Sequence, residues 1–208
     1  KLMSEKVSIL DYGIGNVKSI QNGLNKNKLE SIITSNKDDI LSSKMLIVPG
    51  VGSFKGCISS IKSKNLDKII YEFAETEKTL VGICVGMQIL FDIGFEFGKT
   101  KGLGLIKGEV RKFNFKTQKN ILLPHIGWNS LKIKKSDKII KQTNEQFYFI
   151  HSYICVPFNN EDILSTTKYE NVEFVSSIKK SNIYGFQFHP EKSSNQGLKI
   201  LKRLYQCA

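Results

Sequence analysis

Thr79-Leu80-Val81-Gly82-Ile83-Cys84-Val85-Gly86-Met87-Gln88 is the stretch on which the fold turns. After Thr79 the residues Leu80-Val81-Gly82-Ile83 run without a polar side chain, the pattern of a strand buried inside a parallel sheet. The glycines then end the strand in a sharp turn that leads into an amphipathic helix. This is the form of a nucleophile elbow, where glycines beside the nucleophile let neighbouring backbone approach without a Cβ in the way. Cys84 would then sit at a helix N-terminus, where the positive end of the macrodipole favours a thiolate. Taken alone, the stretch has a competing reading as a buried structural cysteine in a Gly-rich turn.

The alternation of strand and helix extends upstream. Residues 6–12 (KVSILDY) form a short apolar run ending in Gly13-Ile14-Gly15-Asn16, after which Val17, Ile20 and Leu24 recur at helical spacing. Residues 31–34 and 44–48 read as further strands, the second running into Pro49-Gly50-Val51-Gly52. Helices are expected over 53–62 and 66–78, the latter with Ile69, Ile70 and Phe73 on one face. Strands alternating with helices predict an α/β fold: a single three-layer domain with a mostly parallel central sheet.

Downstream the character changes. Between residues 102 and 136 short strand-like runs (103–110, 111–115, 129–133) are separated by Gly, Asn and Pro, which predicts an antiparallel extension of the sheet. Residues 146–153, 172–179 and 182–188 read as strands. Residues 193–206 close the chain as a helix with Leu198, Leu201, Leu204 and Tyr205 inward and Ser193 or Ser194 as cap. No linker or internal repeat divides the chain, so one domain is expected over 4–208. Lys1 and Leu2, ahead of Met3, are set aside as a cloning remnant.

Composition narrows the function classes. The chain has 208 residues, 40% hydrophobic and 24% charged, which places it in the globular range. No stretch approaches the ~18–20 apolar residues of a membrane span, and residues 1–6 lack the apolar region of a secretory signal, so a soluble cytoplasmic protein is expected. Cys57, Cys84, Cys155 and Cys207 form no close pair, which argues against a zinc ribbon, a redox pair or a disulfide framework. The net charge of +12 invites a nucleic-acid partner, but of 31 basic residues only Arg111 and Arg203 are arginines, and the lysines are spread along the chain as solvated faces. Two nucleotide signals also fail. The third glycine of a dinucleotide fingerprint is replaced by Lys18, and Gly98-Lys99-Thr100 has Ile93 where a phosphate loop needs glycine, after a segment read as helical.

A thiolate nucleophile needs a base, and the chain holds three histidines. His125 and His151 are candidates. His189, in Phe186-Gln187-Phe188-His189-Pro190-Glu191, lies at the end of a strand with Glu191 two residues on. In extended geometry these two share a face, so the carboxylate can fix the imidazole tautomer. Pro49-Gly50-Val51-Gly52 ends another buried strand, at the same sheet edge as Cys84 if the strands are parallel. Its backbone N–H groups could meet a developing oxyanion, a contribution of about 3 kcal/mol per donor.

The combination resembles the class I (triad) glutamine amidotransferases. Together with Asp11-Tyr12-Gly13-Ile14-Gly15-Asn16, Gly102-Leu103-Gly104-Leu105-Ile106, Pro124-His125-Ile126-Gly127-Trp128-Asn129, Phe149-Ile150-His151-Ser152-Tyr153 and the run from Gly185 through Lys192-Ser193, the ordered motifs look like those of the glutaminase subunits of imidazole glycerol phosphate synthases. The resemblance covers nearly the whole chain. It implies a flavodoxin-like amidotransferase domain that hydrolyses L-glutamine and passes ammonia to a cyclase subunit with a (β/α)8 barrel fold in a heterodimer. Cys84, His189 and Glu191 would be the catalytic triad. Gly50, Val51, Gly52, Val85 and Gln88 would serve substrate and oxyanion, and Asn16, Trp128 and Lys192 would face the partner. No metal, organic cofactor, nucleic acid or membrane is implied.

Two departures stand out. Val85 follows the nucleophile where the family commonly has leucine. The segment Gly94-Phe95-Glu96-Phe97-Gly98-Lys99-Thr100-Lys101 is unlike the family's Ser/Glu-rich stretch and is similar to paralogues that supply ammonia for amidation of a surface-sugar precursor. Two further readings compete: a stand-alone hydrolase of peptide or γ-glutamyl bonds, and a non-catalytic basic interaction protein.

Overall fold

The aliphatic runs of the first half become the parallel part of an eight-stranded sheet in the computed structural model, which describes residues 4–113 and 122–208. In chain order the elements are β1 (Ser4–Leu10), α1 (Val17–Lys26), β2 (Ser31–Thr34), α2 (Lys37–Ser42), β3 (Ser43–Val48), α3 (Phe54–Ser63), α4 (Leu66–Ala74), β4 (Thr79–Ile83) and α5 (Val85–Gln88). There follow β5 (Phe91–Gly94), β6 (Thr100–Lys101), β7 (Ile106–Lys112), β8 (His125–Ser130), β9 (Lys132–Ile133), β10 (Gln146–His151) and β11 (Tyr153–Pro157). The chain ends with β12 (Ile163–Tyr169), β13 (Val172–Lys180), β14 (Ile183–Phe186) and α6 (Ser194–Cys207).

The main sheet runs β2-β1-β3-β4-β14-β13-β12-β9. Its first five strands are mutually parallel and the last three add antiparallel. Register aligns Ile33, Ile9, Ile47, Val81 and Tyr184 in one row across the five parallel strands. β4 is buried at every position, as its unbroken apolar run requires. Each fully buried Ile or Val contributes about 1.5–3 kcal/mol of hydrophobic stabilisation.

The crossover from β1 through α1 moves outward to β2, whereas those through α2 and through α3–α4 run the other way. Right-handed crossovers in opposite directions place α1 on one face and α2, α3 and α4 on the other. α6 packs on α1 and completes the first layer. The reversal lies between β1 and β3, a topological switch point, and the carboxyl ends of β1, β3, β4 and β14 meet at one edge, where open α/β sheets bind ligands.

The expected antiparallel extension over 102–136 takes a different form. β7 joins a separate four-stranded sheet, β11-β7-β5-β6, and β8 pairs with β10 in a two-stranded ribbon. Only the two residues of β9 reach the main sheet. Gly, Asn and Pro mark strand ends but do not say which sheet a strand enters. Within the run 111–115, Asn114 and Phe115 lie outside the described residues. α2 was not foreseen: it is a short helix of six residues whose start is fixed by Asn36, which accepts from the Asp38 and Asp39 amides. In α6 Leu201 and Leu204 are buried, but Leu198 and Tyr205 are only half-buried, the Tyr205 hydroxyl reaching out to Glu5. Among the described residues no helix is long and apolar enough to cross a membrane.

Candidate active site

β4 delivers Cys84 to the sheet edge in a conformation that few non-glycine residues adopt, φ 56° and ψ −116°. Backbone held there costs on the order of 1–3 kcal/mol and persists only where surroundings impose it. They do so here. The Cys84 N–H donates to Phe186 O at 2.7 Å, and Cys84 O accepts from the amides of Met87 and Gln88. The 49–52 turn is pressed against the elbow: a Cβ on Gly86 would lie 2.0 Å from Val48 O, and one on Gly50 would lie 2.1 Å from Gly86 N. Only glycine allows this approach.

The amphipathic helix expected after Cys84 is instead α5, a single wholly buried turn, after which the chain re-enters a strand, β5. The apolar run from Ile89 onward has the length of a buried strand as much as of a helix, and periodicity does not separate the two. The same strand replaces the helix expected ahead of Gly98-Lys99-Thr100. One turn carries little macrodipole. What the elbow offers Cys84 is local: the amides at the start of α5, which have no intrahelical acceptor.

β14 brings the second group. Three residues past its end lies His189, buried, with its N–H donating to Tyr148 O at 2.9 Å. Its Nδ1 lies 2.8 Å from Glu191 Oε1, and the carboxylate side chain is fully enclosed. The two meet through a 3-10 turn over Pro190–Lys192, not by sharing the face of a strand. Proline fits the first position of such a turn because its φ is already set. With Glu191 accepting from Nδ1–H, the tautomer is fixed and Nε2 is left for chemistry. Burial opposes a charged ring, but interaction with Cys84 and the bond to Glu191 outweigh it and raise the His189 pKa to about 10. His189 Nε2 and Glu191 Oε2 are buried without partners, an unusual pair of open valences in one place.

A cavity of about 290 Å³ lies against these groups, lined by Val51, Gly52, Cys84, Val85, Gln88, Glu96, the 150–153 segment, His189 and Lys192 among others. Three features around Cys84 and this cavity carry no signal in the sequence strong enough to single them out. Gln187, fully buried, accepts from Gln88 Nε2 at 3.0 Å, which turns its own NH2 toward the Cys84 sulfur at 3.8 Å. Its signal was a lone amide in the aromatic run Phe186-Gln187-Phe188. Glu96 faces the cavity and accepts from the Phe54 amide at 2.7 Å, a carboxylate inside the atypical 94–101 segment. Ile150 O lies 3.7 Å from the Cys84 sulfur.

His125 and His151 take another place. His125 Nδ1 and His151 Nε2 lie 3.1 Å apart, with His125 Nε2–H donating to Asn129 Oδ1 and His151 Nδ1–H donating to Tyr153 O, inside a cage that includes Phe149, Phe174 and Tyr169. Burial pushes both pKa values down, that of His151 to about 3. Of the two only His151 borders the cavity, and in each ring one N–H is already committed to an oxygen acceptor.

Of the remaining expected positions, Lys192 sits at the cavity with its ammonium 5.9 Å from the Tyr148 ring, and Trp128 packs edge-on against the same ring. Trp128 is 44% exposed on the outer face of the β8–β10 ribbon, whose register sets Trp128 beside Tyr148 and Ile126 beside Ile150. Asn16 is half-buried at the start of α1, its side chain making no cap bond. Gly50, Asn16 and Trp128 lie outside the cavity lining.

The family model for glutamine amidotransferase class-I matches residues 8–206. The chain belongs to the class I glutamine amidotransferases. Within that family it is 43% identical over 207 residues to imidazole glycerol phosphate synthase subunit HisH 2 of Methanococcus maripaludis, covering 97% of this chain and 100% of that protein. It is 41% identical to the subunit HisH of Pyrococcus furiosus, over 95% of this chain and 97% of that one. The imidazole glycerol phosphate synthase hisHF of Arabidopsis thaliana matches at 39% identity, with 95% of this chain aligned to 33% of its length. Among solved structures, PurLQS from Thermotoga maritima superposes with a TM-score of 0.74 at 18% identity, over 98% of this chain and 99% of the matched one. That likeness bears on the fold, and it agrees with a single amidotransferase-type α/β architecture.

Proposed function

We propose that the chain is the glutaminase subunit of an imidazole glycerol phosphate synthase, releasing ammonia from L-glutamine for a (β/α)8 cyclase partner in cytoplasmic L-histidine biosynthesis. The observation that carries this reading is the meeting of Cys84 and the His189–Glu191 pair at one cavity, with two buried valences left open. The names of the relatives support the assignment of the partner and favour it over amidation of a sugar precursor.

In this reading the Cys84 thiolate attacks the side-chain amide carbon of glutamine. The oxyanion that forms is met by backbone N–H groups of the 50–52 turn and of Val85. His189, protonated and held by Glu191, gives its Nε2 proton to the departing nitrogen, and ammonia leaves with a γ-glutamyl thioester left on Cys84. The now neutral imidazole takes a proton from water, whose oxygen attacks the thioester and frees glutamate. Gln187 donates toward the sulfur and steadies its anionic form. Gln88 and Gly52 border the substrate, and the Glu96 carboxylate suits its α-ammonium group.

The partner would cover the outer face of the β8–β10 ribbon, where Trp128 is exposed and the Lys192 ammonium approaches Tyr148, and would reach Asn16 at the start of α1. Tyr148 links that face to the site, since its ring touches Trp128 and its carbonyl accepts the His189 N–H. Replacing Cys84 by alanine and measuring glutamate release in the complex with the cyclase tests the reading. Loss of turnover is expected, and undiminished turnover would reject it.

A further inference from the structure

A Gly-rich turn is a poor oxyanion site unless something fixes its peptide planes. In each trans peptide the N–H and C=O point in opposite directions, so a plane turned over would present a carbonyl oxygen, which repels an oxyanion, in place of a donor. Glycine permits such rotation at little cost. Two fully buried side chains that the reaction scheme does not use lie under this turn. The Tyr12 hydroxyl donates to Pro49 O at 2.6 Å, and the Cys57 thiol donates to Val51 O at 3.4 Å. Their heteroatoms are themselves 3.4 Å apart. Cys57 is carried on α3, and Tyr12 is tied to the same helix through Ser60, whose hydroxyl donates to Tyr12 O.

We propose that Tyr12 and Cys57 are positioning residues that hold the carbonyls of Pro49 and Val51 on the core side of the turn, so that the amides of Gly50 and Gly52 face the other way. Neither side chain lines the cavity, whereas Val51 and Gly52 do, together with Cys84 and Val85. The Gly52 amide is therefore held on the side where the oxyanion develops. Both donors keep their protons: burial pushes the Tyr12 phenol and the Cys57 thiol up from their ordinary pKa values, with the nearby Cys84 adding in the same direction. This inference rests on the glutaminase reading and refines its oxyanion site.

The test is glutamine kinetics in the complex with the cyclase for Tyr12→Phe, Cys57→Ala and Cys57→Ser. Removing the phenol hydroxyl is expected to lower kcat about tenfold, the equivalent of one hydrogen bond expressed in the transition state, and removing the weaker thiol about threefold. KM for glutamine should stay within about twofold, because an oxyanion donor acts after binding. Cys57→Ser should recover most of the loss, since a hydroxyl can donate to Val51 O. Parent-like kcat in both deletions, a loss confined to KM, or a serine variant no better than alanine would each overturn the proposal. Should Tyr12→Phe fail to fold, the Ala and Ser variants of Cys57 decide alone. Cys84→Ala run alongside keeps the two ideas separate, because glutamate release surviving in it counts against the glutaminase reading itself.

Discussion

Glu191→Gln isolates the charge of the buried carboxylate while keeping its shape. In the parent, Glu191 Oε1 accepts from His189 Nδ1 at 2.8 Å with its side chain wholly enclosed, so the bond is charge-assisted and little screened. Such a bond contributes about 1.5–3 kcal/mol, against roughly 1 kcal/mol for the neutral amide contact that replaces it. The difference of about 0.5–2 kcal/mol falls on the imidazolium needed beside the thiolate and for protonating ammonia, which predicts a kcat lower by about 2- to 30-fold. It also changes the pH profile. The His189 pKa is raised to about 10, with Cys84 and Glu191 outweighing the opposing effect of burial. A raised folded-state pKa means that stabilisation from the proton is complete below the unfolded value near ~6.5 and is lost as pH rises through about 10. Without the carboxylate charge, burial gains ground, and the alkaline limb of glutamate release should move to lower pH. Steady-state assays of the complex from about pH 6 to 10 provide the readout. A variant with parent-like kcat and an unmoved alkaline limb would refute the role given to Glu191.

Gly86→Ala places a Cβ 2.0 Å from Val48 O, so the elbow must deform; a stability loss of about 1–3 kcal/mol by denaturant titration and near-complete loss of glutamate release are expected. His151, whose pKa burial pushes down to about 3, favours the folded state above pH ~6.5 and loses that contribution as pH falls, at up to about 1.4 kcal/mol per unit. Thermal melts between about pH 7 and 5 should therefore show a steeper acid decline in the parent than in a folded His151→Gln variant. Trp128→Ala, at a residue 44% exposed, should leave the melting temperature nearly unchanged yet weaken cyclase binding by about tenfold or more in calorimetric titration.

How far the fold could be read in the sequence depended on what each residue has to satisfy locally. The elbow was legible because glycine at 82 and 86 answers a steric demand that no other residue meets, and β4 because its apolar run has no polar face. His189 and Glu191 were legible as a pair, but the route joining them was not: a proline between them fits an extended link and the first position of a 3-10 turn equally well. The residues after Cys84 misled because Ile89, Leu90 and Phe91 are apolar in a row, which a buried helix and a buried strand share. The assignment of 106–112 and 125–130 to separate sheets depends on long-range partners, Tyr153–Pro157 and Gln146–His151, that no local pattern names. Gln187 and Glu96 escaped notice because an amide gains meaning only once it is seen directed at the sulfur, and a carboxylate only once it is seen facing the cavity beside it.

The most direct measurement is acid-quenched mass spectrometry of the complex turning over glutamine, followed by mapping of any adduct to its peptide. A γ-glutamyl group on the Cys84 peptide, absent from Cys84→Ala, is the predicted result. Sustained glutamate release with the adduct on another residue, or undiminished in Cys84→Ala, would contradict the account.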